Sequence, residues 1–231
     1  MWLGISHPNL VVHILRSNHF YGAIPTYLDH LAHLQILDLA LNQISESMPK
    51  CLNNLTTLTQ KGSPNATITH YYTTWVSSKS LLSMLYADRM FFMWKGKEYE
   101  YKNILGLLKS VDLSSNNLTG RIPGEIVELV GLISLNLSRN LSRNYLTGQI
   151  TSEIDMLQSL DALDLSKNQL SGGIPSSLSH IDCLSVLDLS NNNLSKKIPT
   201  SPHLDTFNAS SYEGNPNLCG APLPKKCPGR K

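Results

Sequence analysis

The residues of this chain that could do chemistry are few, and their spacing argues against catalysis. Of the eight histidines, His7, His30, His33 and His70 show no metal-ligand spacing, and His13 takes a slot that a repeating pattern reserves for leucine. No glycine-flanked serine, phosphate loop or cysteine–histidine pairing occurs. The acids Asp38, Asp112, Asp164 and Asp188 recur at one position of the pattern. On successive strands about 4.8 Å apart they form a stripe, interrupted by Asn136. Such a stripe is either a solvated face or a contact surface for a basic partner, with Asp112, Asp164 and Asp188 as its candidates. The reading is of a protein that binds, with no cofactor and no catalytic residues.

The elements that position these residues come from a period. "LLKSVDLSSNNLTGRIP", "SLDALDLSKNQLSGGIP" and "CLSVLDLSNNNLSKKIP" share the template LxxLxLxxNxLxGxIP, and its first leucines Leu108 to Leu132 and Leu160 to Leu184 lie 24 apart. This is a leucine-rich repeat, an array signature. Leucines alternating along a short strand point inward while the intervening residues face out on a concave side. Asn18, Asn42, Asn116, Asn168 and Asn192 turn the chain at the strand's end, where their amides can satisfy backbone groups of neighbouring coils in an asparagine ladder. Pro25, Pro49, Pro123, Pro175 and Pro199 then suit an extended or turn segment. The fold expected is a leucine-rich-repeat solenoid of the α/β class, with one strand per coil in a curved parallel sheet.

One step departs from the period. Leu132 to Leu160 is 28, the extra four residues coming from a doubled LSRN at 137–144. Keeping Leu132, Leu135 and Leu137 inward makes Asn140 the ladder residue and leaves 141–144 to loop out, an insertion of small entropic cost. Using Asn144 by shifting the whole register would place polar residues at leucine positions.

A second departure is larger. From 59 to 107 the template vanishes, yet the stretch carries Trp75, Phe91, Phe92, Trp94, Tyr99 and Tyr101. That aromatic load argues for order. "FFMWKGKEYEY" alternates bulky and polar residues around Lys95-Gly96-Lys97, which predicts a hairpin. Trp94, Tyr99 and Tyr101 would share a face, with Lys95 and Lys97 wet, and aromatic anchors with a charged rim suit recognition.

The 231 residues are 41% hydrophobic with a formal charge of +2, enough for a continuous core and without a nucleic-acid footprint. No 18-residue apolar run offers a membrane span, and the start lacks the pattern of a signal peptide. Cys219 and Cys227 lie eight apart among Pro and Gly. A bridge there would staple a cap over the last coil, contributing roughly 2–3 kcal/mol and implying an oxidising compartment. Cys51 and Cys183 read as separate buried thiols. Seven NxS/T sequons occur. Asn54, Asn65, Asn117, Asn136, Asn193 and Asn208 are candidates for glycosylation, whereas Asn140, if buried in the ladder, would stay bare. The chain divides into repeats at 1–58, an insert at 59–107, four repeats at 108–207 and a cap at 208–231.

The 24-residue IP template, the insert ending "WKGKEYEYKN", the four repeats after it and the tail "GNPNLCGAPLPKKCPG" resemble the C-terminal ectodomain of plant receptor-like proteins, most of all the receptors for the fungal ethylene-inducing xylanase. The resemblance implies an island domain at 59–107 and a microbial protein or peptide elicitor as ligand. It also implies SERK-type co-receptor and adaptor receptor kinases as partners, and a place on the extracellular face of the plasma membrane, held by a segment missing from this chain. Trp94, Lys95, Lys97, Tyr99 and Tyr101 would then lie beside the co-receptor contact. The alternatives are a secreted inhibitor of a microbial cell-wall-degrading enzyme, which the insert disfavours, and a non-functional receptor fragment.

Overall fold

In the computed structural model, residues 7, 9–62, 69–77, 80–87, 89–94, 97–102, 108–139 and 144–228 are described. Contacts divide the chain into two units: residues 1–61 with 109–231, and residues 62–108.

In the first unit, three residues between inward-facing leucines form a strand in each coil. These are β1 (Val12–Ile14), β3 (Ile36–Asp38), β9 (Ser110–Asp112), β11 (Ser134–Asn136), β13 (Ala162–Asp164) and β15 (Val186–Asp188). They build one parallel sheet in the order β1-β3-β9-β11-β13-β15. Pairing joins equivalent template positions, so Asp38 is in register with Asp112, Asp112 with Asn136, Asn136 with Asp164 and Asp164 with Asp188. The insert does not interrupt this sheet, because β3 pairs directly with β9.

Each coil has a second strand as well, so one strand per coil is corrected to two. β2 (Tyr21–Gly22) pairs with β4 (Gln43–Ile44). β10 (Thr119–Arg121), β12 (Tyr145–Gln149), β14 (Gln169–Gly172), β16 (Asn193–Lys197) and β17 (Asn217–Cys219) form a second parallel sheet. A bridge between Ser47 and Thr119 carries the pairing past the insert. These strands are the xLxGx stretch that follows the asparagine. Gly22, Gly120, Gly148 and Gly172 take φ between 76° and 83°, a conformation only glycine adopts freely. The Oγ of Thr147, Ser171 and Ser195 donates to the carbonyls of Gly120, Gly148 and Gly172 in the preceding coil.

After the second strand, Pro25, Pro49, Pro123 and Pro175 are extended, with φ between −63° and −70°, and each precedes a five-residue 3-10 turn. Proline's fixed φ suits that position and its missing N–H leaves nothing unpaired. The coil with Thr151 in place of proline has a turn of three residues, Ile154–Met156. A small apolar void of about 20 Å³ lies beside it, lined by Pro123, Ile126, Thr151 and Ile154 among others. One core runs from Ile24 to Leu218, filled mostly by leucines at 0–4% exposure.

The second unit is β5 (Thr69–Ser77) antiparallel to β6 (Ser80–Ala87), and β7 (Arg89–Trp94) antiparallel to β8 (Lys97–Lys102). The hairpin expected around Lys95-Gly96-Lys97 is β7–β8, its register pairing Trp94 with Lys97, Phe92 with Tyr99 and Met90 with Tyr101. Lys95 and Asn65 lie outside the described residues.

Candidate functional site

The ladder is the frame on which any binding surface of the repeats rests. In each rung the asparagine Nδ2 donates to the carbonyl of the preceding coil and to carbonyls of its own turn, while Oδ1 accepts an N–H from the preceding coil. Asn42 binds Leu15, Leu39, Ala40 and Phe20 in this way, and Asn116 reaches back across the insert to Ile44 and Leu39, positions 72 and 77 residues away. Asn168 and Asn192 repeat the arrangement. Asn18, in the first coil, donates to Leu15 and Arg16. The rung expected at Asn140 is made by Asn144, whose Nδ2 donates to Leu113, Leu137 and Ser138 and whose Oδ1 accepts from Leu118. Leu132, Leu135 and Leu137 nevertheless stay buried. The extra residues fall between Arg139 and Asn144, before the turn, so no register shift is needed. Asn140 itself lies outside the described residues. The signal was the spacing N-x-L: Asn144-Tyr145-Leu146 matches Asn116-Asn117-Leu118, and Asn140 does not. A further rung, Asn215, was not anticipated. It accepts from Leu194 and donates to Leu189 and Tyr212, extending the ladder into the cap.

The acidic stripe is structural before it is a surface. Each carboxylate Oδ1 accepts the N–H two residues on, Ala40 for Asp38, Ser114 for Asp112, Ser166 for Asp164 and Ser190 for Asp188. Asn136 does the same with Ser138. These Asx turns end the inner strand. Asp112 is corrected as a contact residue: it is 4% exposed, and its Oδ2 takes a hydrogen bond from the Arg16 guanidinium. Arg16 also donates from Nε to Asp38 at 2.7 Å. Sequence reading missed Arg16, although it stands alone in a column otherwise made of Ala40, Ser114, Ser138, Ser166 and Ser190. Burial, then the Asp38 charge, pushes the Asp112 carboxyl above its ordinary range despite Arg16. Burial also raises Asp164. Asp164 and Asp188 are half-buried. The half-buried His13 is pushed down by burial, as suits a side chain in a leucine slot.

Where the insert leaves and returns, the repeats are stitched. The Lys109 ammonium, on a residue 4% exposed, donates to the carbonyls of Thr57 at 2.7 Å and Gln60 at 2.5 Å. Gly131 donates to Leu58, and a Cβ there would come within 1.8 Å of the Gln60 oxygen. Lys50 pairs with Glu125 and Asn53 donates to Glu128 between the coils on either side.

At the other end Cys219 and Cys227 are bridged, β17 covers β16, and Tyr212 is fully buried with its hydroxyl raised to about 12 by burial. Cys51 and Cys183 are free. Cys51 is half-buried, but Cys183 is exposed, which corrects the reading of both as buried thiols. Of the sequons, Asn54, Asn193 and Asn208 are exposed, and Asn117 and Asn136 half-buried. Among the described residues no group of three or more His, Cys, Asp or Glu could hold a metal, and no helix is long and apolar enough to cross a membrane.

The Leucine Rich Repeat family matches residues 33–55, 107–129, 159–181 and 183–203. Over 229 residues the chain is 49% identical to Receptor-like protein EIX2 of Solanum lycopersicum, covering 99% of this chain and 22% of that protein. The Arabidopsis receptor kinase HAESA ectodomain, solved with an N-terminally extended IDA peptide hormone, superposes with a TM-score of 0.66 at 30% identity over 97% of this chain and 28% of that one. HAESA in complex with IDA and the co-receptor SERK1 gives 0.56 at 30%, covering 95% and 32%. The chain thus spans about a fifth of the length of the curated relative. The repeats, the ladder across the insert and this identity along the whole chain agree: the chain is a leucine-rich-repeat array, similar along its whole length to part of a plant receptor-like protein.

Proposed function

We propose that this chain is the extracellular recognition part of a plant cell-surface receptor that joins a microbial protein or peptide elicitor to a SERK-type co-receptor and an adaptor kinase. The observation that carries the reading is the stitched insertion. A repeat array whose two sheets and ladder continue past residues 62–108, with the chain on either side of the insert tied together through Lys109, carries a separate β-hairpin unit at one point of its sequence. An uninterrupted inhibitor-type array lacks such a unit. HAESA's complexes with a peptide hormone and with SERK1 on related repeats support a peptide and a co-receptor as the kinds of partner. The Cys219–Cys227 bridge supports an oxidising, extracellular setting. In this reading Trp94, Tyr99 and Tyr101 anchor the contact, Lys95 and Lys97 rim it, and Asp164 and Asp188 offer the inner sheet's charge to a basic group.

The test uses a full-length, membrane-anchored receptor carrying this chain. Lys97→Glu should abolish elicitor-dependent co-precipitation of the SERK-type kinase while surface level and glycosylation stay normal. Equal association at matched surface levels removes the lysines from the site. Loss of secretion by Tyr99→Ala alone would leave the hairpin with a packing role only.

A further inference from the structure

We infer that the joint between the coils flanking the insert is a proton-linked clamp: buried Asp38 and Asp112 share the single guanidinium of Arg16, so the joint tightens in acid and loosens toward alkaline pH. Three observations carry this. The two acids are in register on adjacent strands that come from opposite sides of the insert. They are 2% and 4% exposed. Arg16 contacts both, so one positive charge faces two negative ones and a buried negative charge is left over.

No other described group on the neighbouring strands offsets it. β1 contributes Ile14 at the paired position and His13 on the alternate, leucine-slot side. β3 and the residues just after it contribute Ile36 and Ala40, and β9 and the residues just after it contribute Ser110 and Ser114. The Lys109 ammonium is occupied by Thr57 and Gln60. β11 contributes the neutral Asn136 and is followed by Ser138, with Arg139 beyond them lying over the Tyr145 ring at 5.3 Å. The next titratable group along the column is Asp164, another acid.

The sign follows from where the proton sits. A carboxyl held above its free value, about 3.9 for aspartate, binds a proton in the folded state that the unfolded chain has already released. Its stabilisation is full below the unfolded pKa and is lost as pH rises through the folded one. The raised Asp112 carboxyl has this direction. Ordinary paired carboxylates behave oppositely and lose stability on acidification.

The experiment is thermal unfolding of the secreted chain from about pH 3, below the free carboxyl value, to about pH 8, for the wild type, Asp112→Asn and Arg16→Met. Asparagine fits the site, because Asn136 occupies the same column with the same turn bond. Asp112→Asn should flatten the decline of the midpoint with rising pH. Arg16→Met, which leaves two acids bare, should steepen it. In the wild type, amide protection at Val111–Leu113, corrected for intrinsic exchange, should fall about tenfold for each unit by which the folded carboxyl exceeds the free one. An Asp112→Asn curve parallel to the wild type, a shallower Arg16→Met curve, or wild-type protection at Val111–Leu113 that does not fall with pH would overturn the clamp. The wild-type exchange decides the matter even if neither variant folds.

Discussion

The Asn144 amide makes four hydrogen bonds in a site with 0% exposure, so its removal leaves an N–H and carbonyls unmet inside the coil. Each unmet buried group costs about 1–3 kcal/mol. Asn144→Ala should therefore lower stability by about 2–4 kcal/mol, whereas Asn140→Ala should change it by less than about 0.5 kcal/mol, as measured by chemical denaturation. Equal losses would mean that both copies of the doubled motif serve the ladder. The two asparagines sit in identical LSRN words, so the local sequence does not distinguish them. What does is the downstream demand that Leu146 lie two residues past the rung. The inward leucines were legible because apolar alternation dictates them. Arg16 was not legible as a site, because its meaning depends on acids from two other coils, one of them beyond the insert.

At the scale of elements, the inner strands and the proline-initiated turns follow from the template. The second sheet hides in it, because xLxGx carries one inward leucine and a glycine with positive φ and so lacks the apolar alternation by which strands are recognised. The insert's hairpin is readable for the opposite reason: "MFFMW" and "KEYEY" alternate around a turn. The turn that starts without proline tests the logic of the repeat. Thr151 stands where four other coils hold a proline near φ −65°, and its turn is two residues shorter than theirs. Thr151→Pro would restrict the unfolded chain and should raise stability by about 0.4–1 kcal/mol, less whatever the Thr151 Oγ bond to the Glu153 N–H contributes. A rise in melting midpoint with unchanged secretion is the expected outcome. A fall would show that this turn has a conformation of its own, unrelated to the proline coils.

For the whole molecule, the question is whether the array needs its insert. Ile36–Asp38 pairs with Ser110–Asp112 directly, Asn116 bonds to Ile44 and Leu39, Asn117 and Thr119 donate to Ile44 and Glu46, and Gly131 donates to Leu58. Every one of these contacts joins residues before 62 to residues after 108. The repeat array is therefore closed by its own backbone and side chains, and the insert is a loop whose ends are held at Thr57–Gln60 and Lys109. Replacing residues 62–107 by about four Gly/Ser residues, which keeps the buried Leu108, gives a linker that reaches up to about 13 Å, enough to rejoin ends already tied together through one lysine side chain. Shortening the loop lowers its closure entropy cost by at most about 2 kcal/mol. The deleted protein should be secreted with the Cys219–Cys227 bridge intact, unfold in one transition at or above the parent's midpoint, and keep amide protection at Leu37–Leu39 and Val111–Leu113. In a full-length receptor the same deletion should abolish elicitor-dependent co-receptor association. A deletion that misfolds would make the insert part of the array's stability, and one that folds and still signals would move recognition entirely onto the repeats.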